Sequence, residues 1–135
     1  MGPAEGTLLF LSMPRRSASR SGSEEPRETL EERWLLEAQT ARNLEGLTAE
    51  AAGDVEAAIA LYERNVAEGF PADLPYGRLV ALYERRAAWD EAERVLRRAI
   101  EVFSDSGLGR RTAQDRRATV RVFKNRLAEL QKKRK

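Results

Sequence analysis

From residue 24 onward, apolar residues recur every three or four positions, and no useful stretch alternates with period two, so the pattern predicts helices and no sheet. Val55, Ala58, Ile59, Tyr62 and Val66 form one stripe, which stops at Gly69. Tyr76, Leu79, Val80 and Tyr83 form the next. Trp89, Ala92, Val95, Leu96, Ala99, Ile100 and Phe103 make a third, and Val120, Phe123, Leu127 and Leu130 a last, narrower seam. Punctuation falls between them. SEEP at 23–26 reads as a capping serine, first-turn acids and a tolerated proline, opening a helix from about residue 24 to 52 that Gly53 ends. Asp54 should cap the second helix and Asp73, with Pro75 in the first turn, the third. Ala87 and Ala88 carry an exposed turn into the fourth helix, SDSGLG interrupts at 104–109, and Thr112 with Asp115 resembles a capping box for the fifth.

The segment GDVEAAIALYER at 53–64 has a partner, AAWDEAERVLRR at 87–98, displaced by 34 residues, in which Ala58 matches Ala92 and Arg64 matches Arg98. A fixed displacement of this length marks a tandem array whose units bury their apolar faces by stacking. The alanines persist because only a β-carbon fits where two antiparallel helices cross closely, while charges facing water can drift. The expected fold is therefore all-α: two antiparallel helix-turn-helix repeats, about 39–72 and 73–106, stacked as a short solenoid and closed by a capping helix at about 110–132. Residues 1–23, rich in Gly, Ser and Pro, are expected to be a disordered tail before the helical domain of 24–135.

Tyr76, Leu79, Val80, Tyr83, Ala87, Trp89, Ala92, Leu96 and Ala99 stand at the spacing of the tetratricopeptide repeat consensus, and the chain resembles that family over roughly residues 36–104. In the first unit Gly46, Gly53, Val55, Ala58 and Tyr62 fit, whereas Arg42, Glu45, Ala49 and Asn65 depart, so its first helix is expected in a shifted register that uses Leu44 and Leu47. The stretch from Tyr62 to Phe103 is similar to small bacterial two-repeat proteins, a resemblance that implies no particular activity. It does imply a concave face of Asn43, Leu47, Glu50, Gly77, Ala81, Glu84 and Arg85, by which such arrays hold segments of other proteins. A clamp for a chaperone partner's C-terminal carboxylate would need Lys and Asn where this chain has Asn43, Leu47, Gly77 and Ala81.

Composition narrows the chemistry. With 41% apolar residues in 135, one small domain is expected. The absence of Cys and His removes disulfides, Cys/His metal sites and imidazole catalysis. An enzyme is not expected, nor a cofactor or metal: the GLG at 107–109 follows no strand, and Thr112 stands where a dinucleotide fingerprint needs its third glycine. Leu8 to Leu11 is far too short to span a bilayer and lacks a basic flank before it, so a cytoplasmic protein with no membrane contact is expected. Met13 reads as an alternative start, and the 20 Arg against 4 Lys fit a high-GC bacterial genome.

Charge resolved along the chain changes the picture again. Residues 27–109 carry 10 Arg and 17 acids, net −7, while residues 110–135 carry 11 Lys/Arg and two acids, net +9. Two roles suit that last helix: a cap whose basic outer face complements the acidic repeats, or a nucleic-acid or other polyanion site using Arg110, Arg111, Arg116, Arg117, Arg121 and Lys124. Phe123 lies on the apolar seam and gives no stacking platform for bases. The primary expectation is a protein–protein adaptor for a protein or peptide partner, with polyanion binding as the alternative. Trp34, Leu35 and Leu36 lie beyond the span of two repeats and are expected either against the last helix or in a homodimer contact.

Overall fold

The computed structural model describes residues 29–105 and 112–134. The chain divides into residues 1–30 and 31–135, and of the first unit only Thr29 and Leu30 are among the described residues. These residues form helices and no strand: α1 (Leu30–Ala51), α2 (Val55–Ala67), α3 (Leu74–Arg85), α4 (Trp89–Ser104) and α5 (Ala113–Lys133). The expected helix start at residues 23–26 lies outside them. No helix among the described residues is long and apolar enough to cross a membrane.

Three of the four connections show why the chain turns where it does. Gly53 and Gly69 adopt φ of +80° and +75°, and Ala87 adopts the same left-handed region at 57°. After α1, the amide of Asp54 reaches back to the carbonyl of Ala49; after α3, the amide of Ala88 reaches the carbonyl of Tyr83, and both bonds close the helix end in the same way. The first turn's bonds from Gly53 to Glu50 and from Asp54 to Ala49 therefore recur 34 residues later, from Ala87 to Glu84 and from Ala88 to Tyr83, with alanine in the place of glycine. Asp54 caps α2 through the amide of Ala57 at 3.2 Å, and Thr112 caps α5 through the amide of Asp115 at 3.0 Å. The cap expected of Asp73 is absent. Its backbone is itself helical, and Pro75 removes one of the two amides that such a side chain would reach.

Ion pairs and bonds give the helix directions. Glu50 meets Tyr62 while Gln39 meets Glu68, so α1 and α2 run antiparallel. Glu63 faces Tyr83 and Glu56 faces Arg86, which makes α2 and α3 antiparallel. Arg94 and Arg98 of α4 take Glu63 and the carbonyl of Val66, so α4 lies alongside α2 and runs parallel to it. Arg134, at the end of α5, holds Asp90 and Glu93 at the start of α4.

The core lies where α2, α3, α4 and α5 meet, with Tyr62, Tyr76, Leu79, Leu96 and Phe103 fully enclosed and Ala58 and Ala92 without exposed surface. Tyr76, Phe103 and Phe123 join three helices through ring centroids 5.5 to 6.1 Å apart, two edge-on contacts and one stack. Phe123 and Leu130 are buried, and Val120 and Leu127 flank them, as the seam of the last helix predicts. Ala88, expected to be exposed, is half-buried and packs against this core, because the closed helix end folds it inward.

The first helix corrects a third expectation. Leu44 is 62% exposed and Leu47 37%, so neither carries its packing. Gln39, Arg42, Asn43 and Gly46 turn toward α2 instead. Fully buried Asn65 accounts for this: its amide donates to the carbonyl of Gln39 at 2.7 Å and to Asn43 at 2.8 Å, and its oxygen accepts from Arg42 at 2.7 Å. A buried amide needs polar partners, and leucines could not supply them. Gly46 completes the fit, since a β-carbon there would stand 2.5 Å from the Tyr62 ring.

Candidate anion-binding site

The position of α5 is set by its apolar seam against α4 and the aromatic cluster, and that seam decides where its cations go. Arg117, Arg121 and Lys124 are spaced four and three residues apart, so they share one face beside the seam. Together with Arg116 they line a cavity of about 500 Å³ between the end of α4 and the start of α5. Phe103, Val120 and Ala113 supply its apolar wall, Ser104 and Asn125 its neutral polar groups, and among the described residues no carboxylate lines it.

That lining contrasts with the rest of the surface. Arg42 pairs with Glu68, Arg78 with Glu50, Arg86 with Glu56, Arg94 with Glu63, and Arg97 with Glu93. Arg117, Arg121 and Lys124 have no ion pair among the described residues, although Arg134 at the end of the same helix finds Asp90 and Glu93 of α4. Four of the six basic residues singled out from sequence thus converge on one cavity; Arg110 and Arg111 lie outside the described residues. Sequence reasoning missed Ser104 and Asn125. For Asn125 the signal was available, because it stands one turn beyond Arg121 on the same face.

The residues expected on a concave face do not share one environment. Asn43 is buried in the bond with Asn65. Glu50 binds Arg78 and accepts from the Tyr62 hydroxyl, and the Arg78 guanidinium holds its carboxyl below the ordinary 4.5. Gly77 faces α5, where a β-carbon would come 3.5 Å from the Arg126 guanidinium. Ala81 and Glu84 are half-buried; Leu47 and Arg85 are exposed. Trp34 is 60% exposed, with Leu35 and Leu36 beside it, and none of the three belongs to the core.

Electrostatics elsewhere serve the fold. Glu68 is lowered by the hydrogen bond from Arg42, and burial pushes the Tyr76 phenol above its ordinary value while its hydroxyl donates to the carbonyl of Phe70 at 2.8 Å. No group of three acidic side chains among the described residues is arranged to hold a metal ion. No protein-family model, curated protein or solved structure matches the chain.

Proposed function

We propose that the protein is a binding module of tetratricopeptide type, in which α1–α2 and α3–α4 are two stacked repeats, α5 is the cap, and the ligand is anionic. The repeat reading is supported by the closed turn that recurs after 34 residues and by Ala58 and Ala92, both wholly enclosed at the same place in each pair. The anionic ligand rests on one observation: three cations without carboxylate partners among the described residues line a single cavity, while the other described arginines are largely paired. Cations gathered without counter-charges repel one another, an arrangement that an incoming anion relieves.

The direct test is retention on an immobilised polyanion. The variant with Arg117, Arg121 and Lys124 all changed to Gln should elute at clearly lower salt than the natural protein, whereas Arg64→Gln, Arg86→Gln and Arg97→Gln together, which remove the same number of charges from paired positions, should shift elution far less. Equal shifts would reduce the effect to net charge and end the site reading.

A second reading, an adaptor that captures a segment of another protein, is supported by Trp34, Leu44 and Leu47, large apolar side chains left exposed on α1. It places the ligand on α1 instead of α5, so the triple Gln variant would retain its partner.

A further inference from the structure

Resting on the anion-binding reading, we propose that the cavity takes two linked phosphoryl groups, as inorganic diphosphate or as the diphosphate ester of a small organic molecule. Size is the first argument. About 500 Å³ is the scale of a small-molecule site, roughly 300 to 1,000 Å³.

Charge and spacing narrow the ligand further. At about 1.5 Å of helix rise per residue, Arg117 and Arg121 stand about 6 Å apart along α5, and Arg117 and Lys124 about 10 Å. One phosphoryl group reaches a neighbouring pair of these cations; two linked groups reach all three. A single phosphate ester brings about −1.5 to −2 charges, short of three cations, and a second phosphoryl group closes the difference. The arginine forks suit phosphate oxygens in bidentate fashion, Lys124 adds a point charge, and Ser104 and Asn125 offer neutral donors on the same wall. Val120 and Ala113 leave an apolar flank for an organic body.

Glu101 on α4 is taken up by Arg98 and offers the cavity cations no counter-charge. A compact ligand stays within one screening length, about 8 Å, of the cations that bind it.

Calorimetric titration of the full chain at about 150 mM salt tests this with three probes: inorganic diphosphate, adenosine diphosphate and a short DNA duplex. Both diphosphates should bind, and Arg117→Gln with Arg121→Gln should weaken them about 10- to 100-fold, less than two buried charge-assisted bonds would lose because both side chains are exposed to solvent. Tighter binding of the adenosine ester identifies the organic source; equal binding identifies inorganic diphosphate. If the duplex binds and neither diphosphate does, the anion site stands and this inference falls. If no probe binds, both fall. Diphosphate binding that the double variant leaves unchanged also overturns the inference, since the ligand would then sit elsewhere. Arg64→Gln, on an exposed face of α2, is the control and should keep the natural affinity.

Discussion

The two helix pairs, α1–α2 and α3–α4, share a turn and differ in what fills them. Both close through the same backbone bonds and both bury an alanine at 58 or 92. Between α3 and α4 the interior is Tyr76, Leu79, Val80, Leu96, Ala99 and Phe103, all without exposed surface. Between α1 and α2 the matching ground holds Arg42, Asn43, Gly46, Tyr62 and Asn65, where Asn65 is tied to Arg42, Asn43 and the carbonyl of Gln39 by hydrogen bonds of 2.7 to 2.8 Å. Some of the difference is compensated volume: Gly46 and Tyr62 stand where the second pair has Val80 and Leu96, small against large in place of two of middle size. The rest is a change of principle. Packing specifies the second pair, and a satisfied polar network specifies the first, so each should fail when given the other's residue.

Ala99→Asn is the severest such exchange. It puts the residue of position 65 into an apolar site with no room and no partners, and overpacking together with an unsatisfied amide should cost about 3 to 5 kcal/mol. Chemical denaturation followed by circular dichroism reads this directly. A variant close to natural stability would show that α3 and α4 can also assemble a polar network.

The reverse exchange, Asn65→Ala, leaves the carbonyl of Gln39 and the side-chain oxygen of Asn43 without their buried donor, while Arg42 keeps Glu68, and should cost about 2 to 4 kcal/mol. Asn43→Leu in the same chain removes one of the stranded groups and should recover part of the loss. Without recovery, the network would contribute less to the first pair than cavity formation does.

Gly46→Ala tests the compensated volume. The Tyr62 ring is enclosed and its hydroxyl is bound to Glu50, so it cannot move aside for a new β-carbon 2.5 Å away. The expected cost is about 1 to 3 kcal/mol, which Tyr62→Leu in the same chain should partly relieve by restoring the second pair's arrangement of sizes.

These particular residues also show what could be read from sequence. The five helices, their apolar stripes, Phe123 in the core and the convergence of basic residues on α5 followed from period and spacing, because a helix fixes which side chains share a face. The interior of the first pair did not follow. Arg42 and Asn65 stood out as departures, but a polar residue inside a helix pair reads from sequence as a defect until its partners are found in space. Leu44 and Leu47 were the natural apolar substitutes, and the structure leaves both outside because Asn65 takes the inward face of α1 for polar partners. The cavity beside α5 was half legible: the cations could be grouped by face, while Ser104 reaches them from another helix, which no spacing rule records.

Acid should separate the pairs more gently. Glu50 and Glu68, both held below the ordinary 4.5 by arginine hydrogen bonds, tie α1 to α3 and to α2. A carboxylate lowered on folding contributes stability that is present above its unfolded value and is lost as pH falls through its folded one. Stability should therefore decline below about pH 4.5, with α1 amides losing hydrogen-exchange protection before those of α4. Glu50→Gln should lower stability at neutral pH and shrink the acid-dependent part; uniform loss across both pairs would place the sensitive carboxylates elsewhere.

The smallest expected effect concerns the turn that the pairs share. Gly53 takes its left-handed conformation at no steric cost, whereas Ala87, at φ 57°, crowds its β-carbon against the backbone. Glycine at 87 removes that strain, but it also loosens the unfolded chain, and the two effects oppose each other. Residues of this kind in the left-handed region are strained by about 1 to 2 kcal/mol, and the entropic loss is about 0.4 to 1 kcal/mol, so Ala87→Gly should stabilise by about 0.5 to 1 kcal/mol. Gly53→Ala should destabilise by a similar amount, since nothing lies within 4 Å of a β-carbon there and backbone conformation alone decides the outcome. Together the two variants exchange the turns. Equal and opposite shifts in melting midpoint would mean that both pairs rest on one turn chemistry, while a neutral Ala87→Gly would mean that the contact of Ala88 with the core already holds the second turn in place.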